Sequence, residues 1–150
     1  MSGSDLGPVL FAYDGSELAR LAIEEAGRQL EPARDAVVLT VWRTFVVGFV
    51  PPPGARLDAA ASDQVRKAAE DTAALGASMA EAAGFRARSL AVEGEPTWKA
   101  IARAADDYDA DLIVLGSHGK SGFAGIFLGS VAGAVAAHSG RTVLIVHRRA

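Results

Sequence analysis

Residues Ala36 to Trp42 read AVVLTVW and Asp111 to Leu115 read DLIVL, two short runs that are apolar at nearly every position. A strand with one face in water alternates apolar and polar side chains. A strand that does not alternate is covered on both faces, as in a parallel sheet packed between helices. That feature sets the interpretation of everything around it.

Val9 to Tyr13, between Pro8 and the turn residues Asp14-Gly15-Ser16, is a further apolar run of strand length. From Glu17 to Leu30 the residues Leu18, Leu21, Ala22, Ala26 and Leu30 recur at helical spacing, with Ser16 as the N-cap and Pro32 just beyond. Alanine-rich Asp58 to Ala83 predicts a long helix stopped by Gly84 as a left-handed cap. Phe85 to Val92 is a strand whose Arg86 and Arg88 suit a sheet edge better than a centre. Pro96 suits the first turn of a helix running to about Tyr108. The strand at Asp111 to Leu115 ends at Gly116, Ser130 to Ser139 is helical with Gly140 as its cap, and Thr142 to His147 is the last strand. Strands and helices thus alternate along the chain. That pattern predicts one α/β domain over residues 1–150, with a five-stranded parallel sheet and right-handed crossovers that place helices on both faces. Thr44 to Leu57 is the exception: three consecutive prolines and two glycines forbid a regular element, and a loop of that length is usually functional or mobile.

Composition narrows the function classes. At 150 residues, 50 % of them hydrophobic, the chain can bury roughly 70 % of its unfolded surface and needs no metal or disulfide to fold. With no cysteine it has no thiol nucleophile and no Cys-based metal site. A net charge of −3 argues against nucleic acid as the main partner, and Arg148 and Arg149 read as a solvated tail. No apolar run reaches the ~18 to 20 residues that span a bilayer. The first residues carry Asp5 and no basic segment, unlike a signal peptide, so the expected location is cytoplasmic.

In a doubly wound sheet, ligands bind beyond the carboxyl ends of the strands, which directs attention to Asp14, Val41 and Gly116. The densest special feature lies there: Gly116-Ser117-His118-Gly119, nine residues, then Gly129-Ser130. Glycines let backbone amides approach an anion, and the helix start at Ser130 adds oriented N–H donors, so together they suit a phosphate cradle. The plain alternative is a surface loop with a glycine-assisted helix entry. Gly119-Lys120-Ser121 imitates a P-loop, but Val114 stands where that motif needs glycine, and no G-x-G-x-x-G follows the first strand.

Gly116-x2-Gly119-x9-Gly129-Ser130 resembles the G-2x-G-9x-G-[S/T] motif of the ATP-binding subgroup of the universal stress protein family. VLFAYDGSELARLAIEEA, GEPTWKAI, ADLIVLGSHGKSG and LGSVAGAVAAHSGRTVLIVHR follow the rest of the family pattern in order, while the middle from Phe45 matches only in being variable. The resemblance implies sheet order 3-2-1-4-5 and a variable loop at about 45–57. It implies ATP with Mg2+ as ligand and a homodimer through the last strand, Thr142 to His147. It assigns Asp14 to the ribose or adenine side and Val41 to the adenine. Leu115 and Gly116 would flank base and ribose, and Gly119, Gly129, Ser130 and Val131 would wrap the phosphates. His118 could touch a phosphate, although a solvated loop histidine is the alternative, and the same holds for Lys120. The family often has a hydroxyl residue where this chain has Ala132, which removes one phosphate donor.

Other polar residues read as structural. Asp106, Asp107, Asp109 and Asp111 straddle a helix-to-strand turn as a solvated corner rather than a cation site. His138 and His147 lack a third ligand nearby in sequence. Trp42 and Trp98 fit core or interface better than base stacking. The reading that results is a small dimeric regulatory module in stress response, without catalytic residues and with at most slow ATP hydrolysis. The alternatives are a nucleotide-free dimeric interaction module and an adenylate-handling hydrolase or ligase. The second would need a glycine-rich loop after the first strand, where this chain has Tyr13-Asp14-Gly15-Ser16-Glu17.

Overall fold

Each strand of this chain sends successive side chains to opposite faces of one sheet, and both faces are covered. The computed structural model describes residues 6–43, 59–119 and 128–148. Its strands are β1 (Val9–Ala12), β2 (Asp35–Trp42), β3 (Arg86–Glu93), β4 (Leu112–Gly116) and β5 (Thr142–Val146). They form a single sheet in the order β3-β2-β1-β4-β5 with every neighbouring pair parallel. The helices between them are α1 (Glu17–Gln29), α2 (Ala59–Ala82), α3 (Thr97–Asp107) and α4 (Ser130–His138).

The missing alternation in AVVLTVW has its cause here. Val38 joins Val9, Phe11, Val114 and Phe85 in a core under α1 and α2, with the Phe11 and Phe85 rings edge to face at 5.2 Å. Val37 and Leu39 join Leu10, Ile113 and Leu115 in a second core under α3 and α4. α1 supplies Ala19, Ala22, Ile23 and Ala26 to the first core and also buries Leu18, whereas Leu21 and Leu30 are only half-buried. Trp98 packs against the second core and meets the His138 ring at 5.0 Å, filling the space between α3 and α4.

The local signals act largely as their chemistry dictates. The Ser16 hydroxyl accepts the Ala19 N–H at 3.2 Å, and Gly84 and Gly140 take left-handed φ of 104° and 69°. Pro96 differs from the sequence expectation: it is the N-cap of α3, extended at φ −69° and ψ 157°, and Thr97 opens the helix. The four acids of the corner are exposed, as expected of a solvated corner, and arginines add ion pairs to it. Arg141 donates to Asp106 at 3.0 Å, to Asp109 at 3.3 Å and to the Ala110 carbonyl at 2.6 Å, fixing the start of β5 to the turn before β4. Asp111 accepts the Gly7 N–H, and Arg34 donates to the Gly7 carbonyl. β1 stops one residue early at Ala12, and β5 stops at Val146, leaving His147 just past it. The proline-rich segment 44–57, Lys120 and Arg149 lie outside the described residues. Among the described residues no helix is long and apolar enough to cross a membrane.

α2 lies so close to the sheet that a Cβ at Gly76 would sit 2.7 Å from both the Tyr13 ring and Val38. Gly76→Val is therefore expected to lower stability by about 1–3 kcal/mol through overpacking. Chemical denaturation monitored by circular dichroism measures it.

Candidate functional site

The chain runs from β1 outward to β2 and β3, then crosses to the other side of β1 for β4 and β5. The order therefore reverses between β1 and β4, and in open parallel sheets ligands bind in the crevice beyond the carboxyl ends of the strands at such a reversal. On the β1 side the Tyr13 N–H donates to the Leu39 carbonyl at 2.8 Å, and the Tyr13 carbonyl accepts the buried Thr40 hydroxyl at 2.8 Å. Thr40 interrupts an otherwise apolar strand, and its hydroxyl is satisfied by fixing the backbone just before Asp14. Asp14 is exposed, and its Oδ1 accepts the Ser16 N–H at 2.9 Å, an Asx turn that aims the carboxylate.

On the β4 side three glycines are crowded. A Cβ at Gly116 would lie 2.9 Å from Leu18 Cγ and 3.3 Å from the His118 carbonyl oxygen. At Gly119 it would collide with the Asp14 carboxylate, and at Gly129 it would lie 3.2 Å from both Ser117 O and His118 Cα. The positive-φ glycines of the described chain are Gly15, Gly84 and Gly140, so these three are required for space rather than for left-handed backbone. Ser117 links the parts. It is 3 % exposed, its N–H donates to Val146 O at 2.9 Å, and its carbonyl accepts the Gly129 N–H at 2.6 Å.

Gly129 is the N-cap of α4, extended at φ −71°, and no side chain caps the helix start. The first-turn amides of α4 are therefore presented beside the turn after β4, with Ser130 exposed and Val131 half-buried. His118 is half-buried, with Nδ1 3.4 Å from the Gly119 carbonyl oxygen. The structure thus brings together Asp14, Gly116, His118, Gly119 and Gly129 directly, with Ser130 and Val131 following. Leu115 contributes backbone alone, since its side chain is buried in the second core. Val41 stands apart from the glycine turns, half-buried at the end of β2 beside Val92 of β3. Gly94 closes that end: its N–H donates to Trp42 O at 3.1 Å, and a Cβ there would lie 2.6 Å from Ala100 and 4.0 Å from Val41.

Thr40, Gly94 and Ser117 support the site without having been singled out in the sequence. A lone polar residue inside a doubly buried strand was the available signal for Thr40, because a buried hydroxyl demands a partner. Ser117 and Gly94 act through backbone groups and left no such mark. The charge around Asp14 is also arranged. Arg20 is clamped between Glu17 and Glu24, and its hydrogen bond holds the Glu17 carboxyl below the usual range. Burial raises the Tyr13 phenol above its ordinary value of 10.0, the neighbouring Asp14 charge adds to the rise, and Arg20 opposes it.

The profile of the universal stress protein family matches residues 6–147. Universal stress protein MJ0577 of Methanocaldococcus jannaschii is 39 % identical over 69 residues, which are 46 % of this chain and 42 % of that protein. Its solved structure superposes over 96 % of this chain and 97 % of that one, with a TM-score of 0.75 and 25 % identity. A universal stress protein of Mycolicibacterium smegmatis is 34 % identical over 95 % of this chain and 46 % of its own length. The chain spans about half the length of these curated relatives. A universal stress protein solved in complex with cAMP is 28 % identical over 94 % of this chain and 97 % of that one, with a TM-score of 0.66.

The raised Tyr13 pKa has a consequence for stability. Below pH 10 the phenol is neutral in both states; above it the unfolded chain ionises first, so stability falls as pH rises toward the folded value. Tyr13→Phe is expected to flatten that alkaline fall relative to wild type, which denaturant titrations between pH 8 and 11 measure.

Proposed function

We propose that this chain, which belongs to the universal stress protein family, is a cytoplasmic ATP-binding regulatory module of stress response that works as a homodimer. The observation that carries the nucleotide reading is the crowding of Gly116, Gly119 and Gly129, with the Gly129 N–H held on Ser117 O. The turn after β4 and the start of α4 pack so closely that a side chain at any of these three positions would meet protein atoms, which sets backbone amides and a helix start side by side. A phosphate chain is the ligand class suited to such donors. The related protein solved with cAMP supports an adenine nucleotide.

In this reading Gly119, Gly129, Ser130 and Val131 wrap the phosphates, Ser130 by hydroxyl as well as N–H, and His118 reaches them from the turn. Asp14 accepts the ribose hydroxyls. Leu115 and Gly116 flank the ribose and base, and Val41 contacts the adenine from the end of β2. In this proposal the nucleotide would carry Mg2+ as the counter-cation of its phosphates. Ala132 is 2 % exposed and faces the second core, so this position adds no phosphate donor. Hydrolysis is at most slow in this proposal: of the described acid and imidazole groups beside the cradle, Asp14 accepts the Ser16 N–H and His118 Nδ1 lies toward Gly119 O.

The homodimer reading rests on one outer edge of the sheet. β5 is the outer strand beyond β4, and Val143 to Val146 are apolar and only half-buried. A groove of about 780 Å³ runs between β5 and α1, lined by Leu21, Leu30, Leu144 and Val146. A second copy pairing through Thr142 to His147 would cover that strand and the half-buried face of α1. The domain extends over residues 1–150, with the variable segment at about 45–57.

Gly129→Val should weaken ATP binding on the order of tenfold or more, ~1.4 kcal/mol, while the domain stays folded. Calorimetric titration with far-UV circular dichroism as the fold control checks it; unchanged affinity in a folded variant rejects the cradle. Asp14→Ala should lower affinity for ATP more than for its 2′,3′-dideoxy analogue, which offers no hydroxyl to accept. Equal losses for the two ligands would mean that Asp14 only anchors its turn.

A further inference from the structure

The sheet has two outer strands, β5 and β3, and they are built differently. Along β3 the Arg86 N–H donates to Arg34 O at 2.9 Å and the Gly94 N–H to Trp42 O at 3.1 Å. Even-numbered residues therefore turn their backbone toward β2, and Ala87, Ser89, Ala91 and Glu93 turn theirs outward. Outward N–H and C=O groups are what a second chain would pair with. The first of those amides is already taken: Ala87 N–H donates to Glu81 Oε1 at 2.9 Å. Glu81 is the penultimate residue of α2, at the negative end of the helix dipole, where an acid weakens the helix. Helix formation gives no reason for an acid there, and the edge amide does.

The flanks repeat the pattern. Arg86 and Arg88 are exposed, Arg86 is held by Asp35 at 2.9 Å, and the Arg88 guanidinium lies 4.6 Å over the Tyr108 ring. With Glu81 they rim a polar hollow of about 440 Å³ at the amino end of β3. The β5 edge carries Val143, Leu144, Ile145 and Val146 instead.

We propose that Glu81 closes the β3 edge to a second copy of this chain, so that copies pair through one edge. The need follows from geometry. Pairing through one edge with two-fold symmetry closes at a dimer, while a chain that can pair through both edges continues without end. A strand laid along β3 would have to displace the Glu81 carboxylate from the first amide of its ladder.

The test compares wild type, Glu81→Gln and Glu81→Leu by light scattering across a hundredfold range of concentration. Glu81 is exposed, so leucine there is compatible with folding. Glutamine keeps an acceptor for the Ala87 amide and should keep the wild-type mass. Leucine should at least double the weight-average mass and make it grow with concentration. A Glu81→Leu mass equal to wild type throughout overturns the proposal. Hydrogen exchange under dilute conditions reads the bond itself: the Ala87 amide should exchange at least tenfold faster in Glu81→Leu, with β1 and β2 amides unchanged. An unchanged Ala87 rate overturns it as well. Only the final size rests on the dimer proposed above. If wild type is a monomer, that reading fails, and a Glu81→Leu variant that stops at a dimer still supports a closed β3 edge.

Discussion

The hydrogen bond from the Gly129 N–H to the Ser117 carbonyl, 2.6 Å long, joins two parts of the chain that sequence separates. One is the turn leaving β4; the other is the start of α4. Without that bond the helix amides and the crowded glycines would be two unrelated features. With it they share one volume, and Ser117 passes the connection on to β5 through Val146 O. A bond of this kind contributes only about 1 kcal/mol net, but leaving a buried carbonyl unpaired costs about 1–3 kcal/mol. Its larger effect is positional. It fixes the distance between donors that a flexible ligand would otherwise have to gather at an entropic cost.

The two ends of the sheet are held by different chemistry. At the amino ends, side-chain charges fasten the chain: Arg34 reaches Gly7 and Asp111, and Arg141 reaches Asp106, Asp109 and the Ala110 carbonyl. At the carboxyl ends, backbone groups and glycines dominate, with Thr40 as the buried side-chain strut.

Much of this was legible in the residues. AVVLTVW announced a doubly covered strand, Arg86 and Arg88 announced an edge, and Gly84 and Gly140 announced helix ends, and all of these hold. Leu21 and Leu30 share the helical spacing of α1 but stay half-buried, because the stripe toward the sheet is completed by Ala19 and Ile23. Periodicity gives a face but not its width. Pro96 fits a first turn or a cap equally well by its fixed φ, and only the chain entering from β3 decides. The glycine spacing pointed to the crevice, yet its reason was out of reach. Gly119 is small because of Asp14, more than a hundred residues earlier, and a spacing rule carries no information about such a neighbour.

The contact of α2 with the end of β1 has a consequence for descent. Gly76 lies against the Tyr13 ring and Val38, and Tyr13 immediately precedes Asp14. Those three positions cannot drift independently in a lineage. A larger residue at 76 is accommodated at least cost after a loss of volume at 13 or 38, and a change at 13 alters the support of the residue beside it. A helix position with no role in the chemistry of the crevice is thereby bound to the history of the crevice, and paired replacements at 76 and 13 are the trace it would leave among related chains.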